Sequence, residues 1–368
     1  MIFRLGMVLG AVAGLASAQT SDLLGAGRVD AEVDSLFSSD IDVFQSRARY
    51  EQELGTWTVA GTFGHLHHDI EYRSLDTFPQ QLDRQEDTFE AGIEVEKAFG
   101  DRFAVLGSAS YVDGFPDHRQ LWISQYYDLI NGGLPGYESA DPQSVAFSVG
   151  GQWNYHPGYS FLQATVGFSR ADIVPGWDGI PDQFGNLALE SSDSTLDTYS
   201  GSVIWSTVVN PQLRTQQTLR LSQIEGREVR TQLRTEWAWS VTDRLAVRAE
   251  LGAAHEDPIF ESIYGGVTAV LDLTDQWQLT VGGRYYEDTG EISNSENEEF
   301  QVSPPPLDSW ELSAGLRWQP SDNLQVRLSG AFLNYDFDPV DPVNGRPFTF
   351  LYRDRQFGAA RVAMTFRF

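Results

Sequence analysis

The sequence predicts an all-β protein, a transmembrane antiparallel β-barrel, and three observations lead to that prediction. Apolar and polar residues alternate with a period of two along most of the chain after residue 27. Short turns alternate with longer loops, and aromatic residues cluster beside the short turns. A period of two is typical of a strand with one apolar and one wet face. A soluble β-sandwich would place its aromatic residues near the middle of the strands, so the pattern favours a barrel that crosses a membrane.

The composition limits the classes of protein to which the chain can belong. Its 368 residues include 52 acidic and 25 basic side chains, which give a formal charge of −27. Binding to nucleic acid requires clustered positive charge, so we expect no nucleic-acid partner. The chain has no cysteine, which excludes disulfides, thiolate nucleophiles and cysteine-ligated metal centres.

The first 18 residues, MIFRLGMVLGAVAGLASA, have the pattern of a secretory signal peptide. Arg4 supplies the positive charge, an apolar stretch follows, and small residues precede the expected cleavage site. The apolar stretch is shorter than the roughly 20 residues that a membrane-spanning helix requires. We therefore expect residues 1–18 to be removed on export. Residues 19–27 would then form an N-terminal segment, and residues 28–368 the barrel.

The strands are predicted from the alternation itself. In residues 229–239, Val229 and Leu233 share one face, while Arg230 and Arg234 share the other. Residues 89–96, 277–285, 310–318, 324–332 and 358–368 alternate in the same way. Each of these segments can therefore form a strand with one apolar face and one polar face.

The turns determine the number of strands. Seven short turns, such as residues 100–102 and 242–244, lie between longer stretches at 74–86, 114–142, 172–193, 288–307 and 336–356. Transmembrane barrels have this asymmetry, with short turns in the periplasm and longer loops outside. Counting back from the end of the chain, and adding residues 28–37 as the first strand, predicts sixteen strands. The alternative is fourteen strands, with the N-terminal segment inside the lumen.

The last strand carries a resemblance to a known class of protein. Residues 359–368 place Val362, Met364, Phe366 and the terminal Phe368 on one face. This segment resembles the C-terminal signal of Gram-negative outer-membrane barrels, which end in phenylalanine and are recognised by the barrel-assembly machinery. The resemblance implies a location among outer-membrane lipids, with Phe368 as the contact for that machinery.

The loop at residues 114–142 is similar in its position to a loop of the general porins. With sixteen strands it falls between the fifth and the sixth, where the third outer loop of those porins folds inward and narrows the channel. The resemblance implies Asp128, Glu138 and Asp141 as constriction carboxylates, and small hydrophilic solutes as cargo. It concerns architecture and no short motif, and it leaves the oligomeric state open. A solvated loop is the alternative.

The polar strand faces supply a predicted set of pore-lining residues. Arginine suits a wet wall because it stays ionised, and rings of charge in a pore determine its ion preference. The set comprises Arg214, Arg220, Arg230, Arg234, Arg248, Arg284, Arg317 and Arg327 together with Glu90, Glu94 and Glu96. The alternative is that such groups form salt-bridged ladders in a dry lumen.

Only the histidines suggest chemistry. His65 and His67 share a strand face, a spacing that could hold a metal ion, and His68 precedes Asp69. A catalytic triad needs three groups within reach, and the sequence provides two. We therefore expect no catalytic residue, no metal site and no cofactor. Acidic loops, including Asp336, Asp338, Asp341 and Asn344, could bind Ca²⁺ but are usually just solvated.

Three functions remain after these considerations. The first is an outer-membrane channel for passive diffusion of small hydrophilic solutes. The second is a closed barrel that serves as a structural or surface-binding protein. The third is an outer-membrane hydrolase built around His65, His67 and His68.

Overall fold

The computed structural model is a closed barrel of sixteen antiparallel strands. It describes residues 26–39, 41–73, 81–114, 143–181, 187–258, 260–290, 306–338 and 354–368. The prediction of sixteen strands is confirmed, and the alternative of fourteen is wrong. The N-terminal strand is part of the wall because it pairs with the second strand on one side and with the last strand on the other.

Consecutive strands are neighbours all the way around the barrel. Their bounds are β1 Gly27–Phe37, β2 Ile41–Leu54, β3 Trp57–Arg73, β4 Gln81–Phe99, β5 Phe103–Asp113, β6 Gln143–His156, β7 Ser160–Pro181, β8 Leu187–Asn210, β9 Leu213–Ile224, β10 Val229–Ser240, β11 Leu245–Glu256, β12 Phe260–Asp272, β13 Trp277–Asp288, β14 Leu307–Ser321, β15 Leu324–Phe337 and β16 Arg355–Arg367. Among the described residues, no helix is long and apolar enough to cross a membrane.

The barrel closes between the two ends of the chain. The amide of Gly27 donates to the carbonyl of Phe368, and the amide of Phe368 donates to the carbonyl of Gly27, both at 3.0 Å. The Phe368 ring stacks on Tyr50 and on Phe366. Closure leaves no strand edge with unpaired backbone groups, which a hydrocarbon environment requires.

The two ends of the barrel differ. At one of them, named here the short-turn end, tight turns join β2 to β3, β4 to β5 and every later pair of this kind. Gly55 and Gly100 lie in two of these turns with φ of 67° and 71°. This backbone conformation is unfavourable for residues other than glycine. At the opposite end, two stretches predicted as loops are partly strand. β4 already begins at Gln81, and β7 and β8 reach Pro181 and Leu187.

The outer face of the wall carries an apolar band between two rows of aromatic side chains. Ile93, Leu233 and Leu328 are exposed in the band. The exposed aromatic residues toward the short-turn end are Trp57, Phe99, Phe103, Trp153, Trp205, Trp239, Trp277 and Trp318, and those toward the other end include Phe89, Tyr111, Phe147, Tyr199, Tyr285 and Trp310. Two aromatic girdles that flank an apolar band are the outer surface of a transmembrane barrel.

Candidate functional site

The inner face of the barrel holds the charged side chains of the strands. In β10, Arg230, Arg234 and Glu236 alternate with the outward Leu233 and Trp239, which are about half exposed. The cross-strand register carries this assignment from strand to strand, because directly paired residues face the same side. All eight arginines of the predicted set, and also Glu90, Glu94 and Glu96, lie on the inner face by this criterion. Their role as the lining of a solute path stays a prediction.

One group of inner ion pairs lies on β16 and on the first four strands, β1 to β4. Arg47 contacts Glu90 at 2.7 Å, and Arg49 contacts Glu94 at 2.9 Å as well as Glu51. The register explains these contacts. Gly64 of β3 stands between Arg47 and Glu90, and its missing side chain lets the two meet above the intervening strand.

A second group lies on β10 to β13. Arg230 contacts Glu256 at 2.7 Å, and Arg234 contacts Glu250 at 2.7 Å and Glu236 at 3.0 Å. Two of the guanidinium groups also lie over aromatic rings. Arg230 is 4.3 Å from the centre of the Phe260 ring, and Arg284 is 4.7 Å from that of Tyr264. Stacking of this kind suits arginine, whose planar head is weakly hydrated.

Most of these ion pairs are accessible from the lumen. The side chain of Glu94 is 59% exposed, that of Arg361 is 54% exposed and that of Arg284 is 46% exposed. Glu256 is the contrasting case, with a side chain that is 3% exposed. Ion pairs with this accessibility border open space inside the described wall, whereas the Arg230–Glu256 pair is part of the wall itself.

Five arginines of the predicted set have no carboxylate partner among the described residues. Within the described ranges, no salt bridge involves Arg214, Arg220, Arg248, Arg317 or Arg327. Arg214 donates from Nε to the hydroxyl of Ser206 at 3.0 Å. The sequence pattern identified these arginines but could not show which of them are paired, because pairing depends on register.

The three predicted constriction residues cannot be placed on the wall. Asp128, Glu138 and Asp141 lie in residues 115–142, which are outside the described residues. Their role at a constriction stays a prediction. The same holds for the signal peptide, since the description begins at residue 26.

His65, His67 and His68 lie near the end of β3 opposite the short turns, and two of them share one carboxylate. Nε2 of His65 and Nδ1 of His67 are 2.8 Å and 2.9 Å from the same oxygen of Asp87. This cluster is on the outer face, because His65 stacks on the exposed ring of Phe89. His68 belongs to the opposite face of β3. The three histidines therefore do not form one site.

Among the described residues, the surroundings of the histidine cluster are limited to few polar contacts. In the part of the chain that the structure describes, no serine hydroxyl is hydrogen-bonded to His65 or His67. There is also no group of three or more His, Asp or Glu side chains there that could hold a metal ion. Asp87 is a residue that sequence reasoning missed. The only available signal was the β3–β4 register, which pairs it with His67.

The geometry defines a class of protein, the porin-like outer-membrane β-barrels. The sequence also matches the model of a family described as "Putative beta-barrel porin-2, OmpL-like" over residues 136–366. This match covers more than half of the chain, so the protein belongs to that family. None of the curated proteins matches the sequence.

Several solved structures are similar to this chain at low sequence identity. CdiB from Acinetobacter baumannii is 8% identical with a TM-score of 0.54, and the match covers 93% of this chain but 60% of CdiB. The Pseudomonas putida toluene transporter TodX is 9% identical with a TM-score of 0.46, and the match covers 95% of this chain and 90% of TodX. A bacterial polysaccharide outer membrane secretin is 10% identical with a TM-score of 0.49, and the match covers 95% of this chain and 100% of the secretin. The likeness to CdiB concerns the fold alone, and the matches below 0.5 add nothing to it.

Proposed function

We propose that this barrel is an outer-membrane channel that passes small hydrophilic solutes by passive diffusion. The observation that carries the proposal is the accessibility of the inner charges. Glu94 and Arg361 are ion-paired yet remain more than half exposed inside the wall. In a lumen filled by its own side chains these pairs would be buried, and burying them would cost several kcal/mol of desolvation per ion.

The small residues of the inner wall support the same proposal. On β5 to β8, the inner face carries Ser108, Ser148, Gly150, Gly167 and Ser200. Such side chains reach only a short distance from the wall, so this quarter of the barrel cannot fill the lumen by itself. The competing function, a structural or surface-binding barrel closed by its own side chains and loops, would need other parts of the chain to fill this space.

The proposal includes the route to the membrane. The chain would be exported with cleavage of residues 1–18 and assembled through recognition of Phe368. The short-turn end would face the periplasm, as in other barrels of this kind. The solutes would cross without a chemical step, and the wall would supply charge and hydrogen bonds along the path.

Swelling of protein-containing liposomes in isotonic neutral sugars tests this function. We expect swelling rates that fall as the sugars become larger, because diffusion through a pore of fixed width discriminates by size. Folded protein that produces no swelling with even the smallest sugar would contradict the channel and favour the closed barrel. Heat-unfolded protein is the control for leaky lipid.

Two glycines on adjacent strands provide a matched pair of variants. Gly92 is on the inner face, where an added Cβ meets no atom closer than 3.6 Å, and Gly61 is on the outer face, where nothing lies within 4 Å. Gly92→Trp should slow the swelling with the largest sugar that enters, since the indole projects into the lumen. Gly61→Trp should leave the rate unchanged. Equal rates for both variants would show that solutes do not pass along this wall.

A further inference from the structure

Five inner arginines form a set near the short-turn end, which we name the arginine arc. Its members are Arg214, Arg248, Arg317, Arg327 and Arg367. Each lies on the inner face and within five residues of the short-turn end of its strand. Their strands, β9, β11, β14, β15 and β16, belong to one half of the barrel circumference.

The arginine arc differs in its partners from the other inner arginines except Arg220, which also has no salt bridge within the described residues but lies farther from the short turns. Arg47, Arg234 and Arg361 each contact a carboxylate, and they lie farther from the short turns. Within the described residues, no member of the arc has a salt bridge. Inner carboxylates that lie near the arc in register have other partners: Glu250 contacts Arg234, Asp30 contacts Arg28, and Asp272 accepts a hydrogen bond from the amide of Gln278 at 2.7 Å.

The register brings like charges of the arc together. Arg317 and Arg327 are direct cross-strand partners on β14 and β15. Arg214 and Arg248 flank Ala238 of β10 from its two sides, and the small alanine leaves the space between them open. Like charges that are directly opposite each other destabilise a strand pair, so this arrangement calls for a negative partner.

The available donors point to the chemistry of that partner. Nε of Arg317 is buried and has no hydrogen-bond acceptor among the described residues. The side chains of Arg248, Arg327 and Arg367 are exposed to the lumen, and Arg327 donates from Nε and one Nη to the amide oxygen of Gln325. The planar guanidinium fork matches the two oxygens of a carboxylate or a phosphate and can bind them in a bidentate manner.

We infer that the arginine arc binds an anionic group, a carboxylate or a phosphate, of the solute that passes through the barrel. This inference rests on the proposed channel function and names its solute class. An anionic solute would be held near the periplasmic exit by at least two arginines at once. The Arg317–Arg327 pair and the Arg214–Arg248 pair each offer such a site.

Binding can be tested without conduction by heating the folded barrel in detergent with citrate or inorganic phosphate. Either anion should raise the unfolding temperature of the parent, because a ligand that binds only the folded state stabilises it. The Arg317→Gln/Arg327→Gln double variant should bind citrate about tenfold more weakly or worse. Hydrogen bonds to charged groups contribute more than the ~1.4 kcal/mol to which tenfold corresponds.

The control variant also replaces two arginines at the short-turn end, but these two lie in the turns and not on the strands. Arg102→Gln/Arg244→Gln should leave citrate binding as it is in the parent, since these exposed residues are not part of the inner wall. If the Arg317/Arg327 variant does not fold, the Arg214→Gln/Arg248→Gln variant provides the same test. Equal stabilisation of the parent and of a folded arc variant by citrate would overturn the inference.

A planar bilayer separates this inference from the channel itself. Conductance in potassium chloride reports the channel, and its reduction by citrate added at the short-turn end reports the arc. A conducting parent that citrate blocks, with the block lost in the arc variants, supports both. Conductance that citrate leaves unchanged overturns the arc alone. Absent conductance together with citrate stabilisation in detergent overturns the channel and leaves an anion-binding barrel.

Discussion

Individual inner arginines fall into two groups that should respond differently to substitution. Arg230 contacts Glu256, whose side chain is 3% exposed, so removing Arg230 would leave a buried carboxylate without its counter-charge. In the described part of the chain, Arg248 has no carboxylate partner, and its side chain is exposed to the lumen. The first arginine should therefore matter for stability and the second for solute contact.

We expect Arg230→Met to destabilise the folded barrel by about 3 kcal/mol, the lower end of the cost of breaking a buried ion pair from one side. Arg248→Met, the matched control, should leave the unfolding temperature nearly unchanged or raise it. The measurement is the temperature at which the folded band converts to the unfolded band on a gel run without boiling. Similar unfolding temperatures for the two variants would mean that Arg230 does not stabilise the wall.

A single glycine contact also shapes the lumen. The Tyr264 ring lies over Gly252, so close that an added Cβ would overlap it. The guanidinium of Arg284 stacks on the same ring. The tyrosine is thereby held along the wall instead of projecting into the lumen. The sequence gives no sign of this contact, because Gly252 and Tyr264 are brought together only by the β11–β12 register.

At the scale of the strands, the outer and inner faces should differ in their tolerance of charge. Val149 on β6 is 55% exposed on the outer face, and its neighbour Ser148 is on the inner face between Ser108 and Gly167. Val149→Arg should cost about 2–4 kcal/mol, as arginine does near the midplane of a membrane. Ser148→Arg should cost much less, since its charge can remain in water.

Folding into vesicles at increasing urea concentrations compares the two variants. We expect the midpoint to fall clearly for Val149→Arg and little for Ser148→Arg. The reverse order would mean that the two faces of β6 have been assigned the wrong way round.

Most strands could be predicted from the sequence, because a wall with lipid on one side and water on the other imposes a strict alternation. The segment predicted at residues 229–239 is the strand Val229–Ser240. The prediction failed where β4, β7 and β8 extend into the stretches predicted as loops, residues 74–86 and 172–193. The sequence QLDRQED at residues 81–87 has no alternation of apolar and polar residues, although these residues begin β4.

The inner charges could be predicted as a set, but their pairing could not. Arg47 and Glu90 are 43 positions apart in sequence. They are in contact because the residue between them in the register is Gly64, which has no side chain. Asp87 was missed for the same reason, since its contacts with His65 and His67 require β3 and β4 to be aligned. Contacts across strands depend on stagger, which the period-two pattern does not specify.

For the molecule as a whole, Phe368 is important both for closing the barrel and for its proposed assembly into the membrane. Its backbone bonds to Gly27 join the first and last strands, and its ring stacks on Tyr50. Phe368→Ala should reduce the amount of folded barrel in the outer membrane, because it removes both the ring contact and the residue that the assembly machinery is proposed to recognise.

Tyr50→Ala is the matched control, since it removes the stacking partner and keeps the terminal phenylalanine. In detergent, both variants should fold to a similar extent. In cells, Phe368→Ala should accumulate far less folded barrel than Tyr50→Ala. Equal amounts in cells would show that Phe368 contributes through packing alone.

Positive and negative charges of the molecule are concentrated in different places along the proposed solute path. The chain carries a formal charge of −27, yet the arginine arc makes one half of the wall positive near the short turns. A solute would therefore meet fields of different sign at different levels. These fields can act on a solute only if water and ions pass between the two ends of the barrel.

Single-channel recording in a planar bilayer tests that condition most directly. Folded parent protein should produce discrete, stepwise increases in current in potassium chloride, and Gly92→Trp should produce smaller steps than Gly61→Trp. A silent bilayer, with protein shown by its gel mobility to be folded and inserted, would contradict the channel and identify the molecule as a closed barrel.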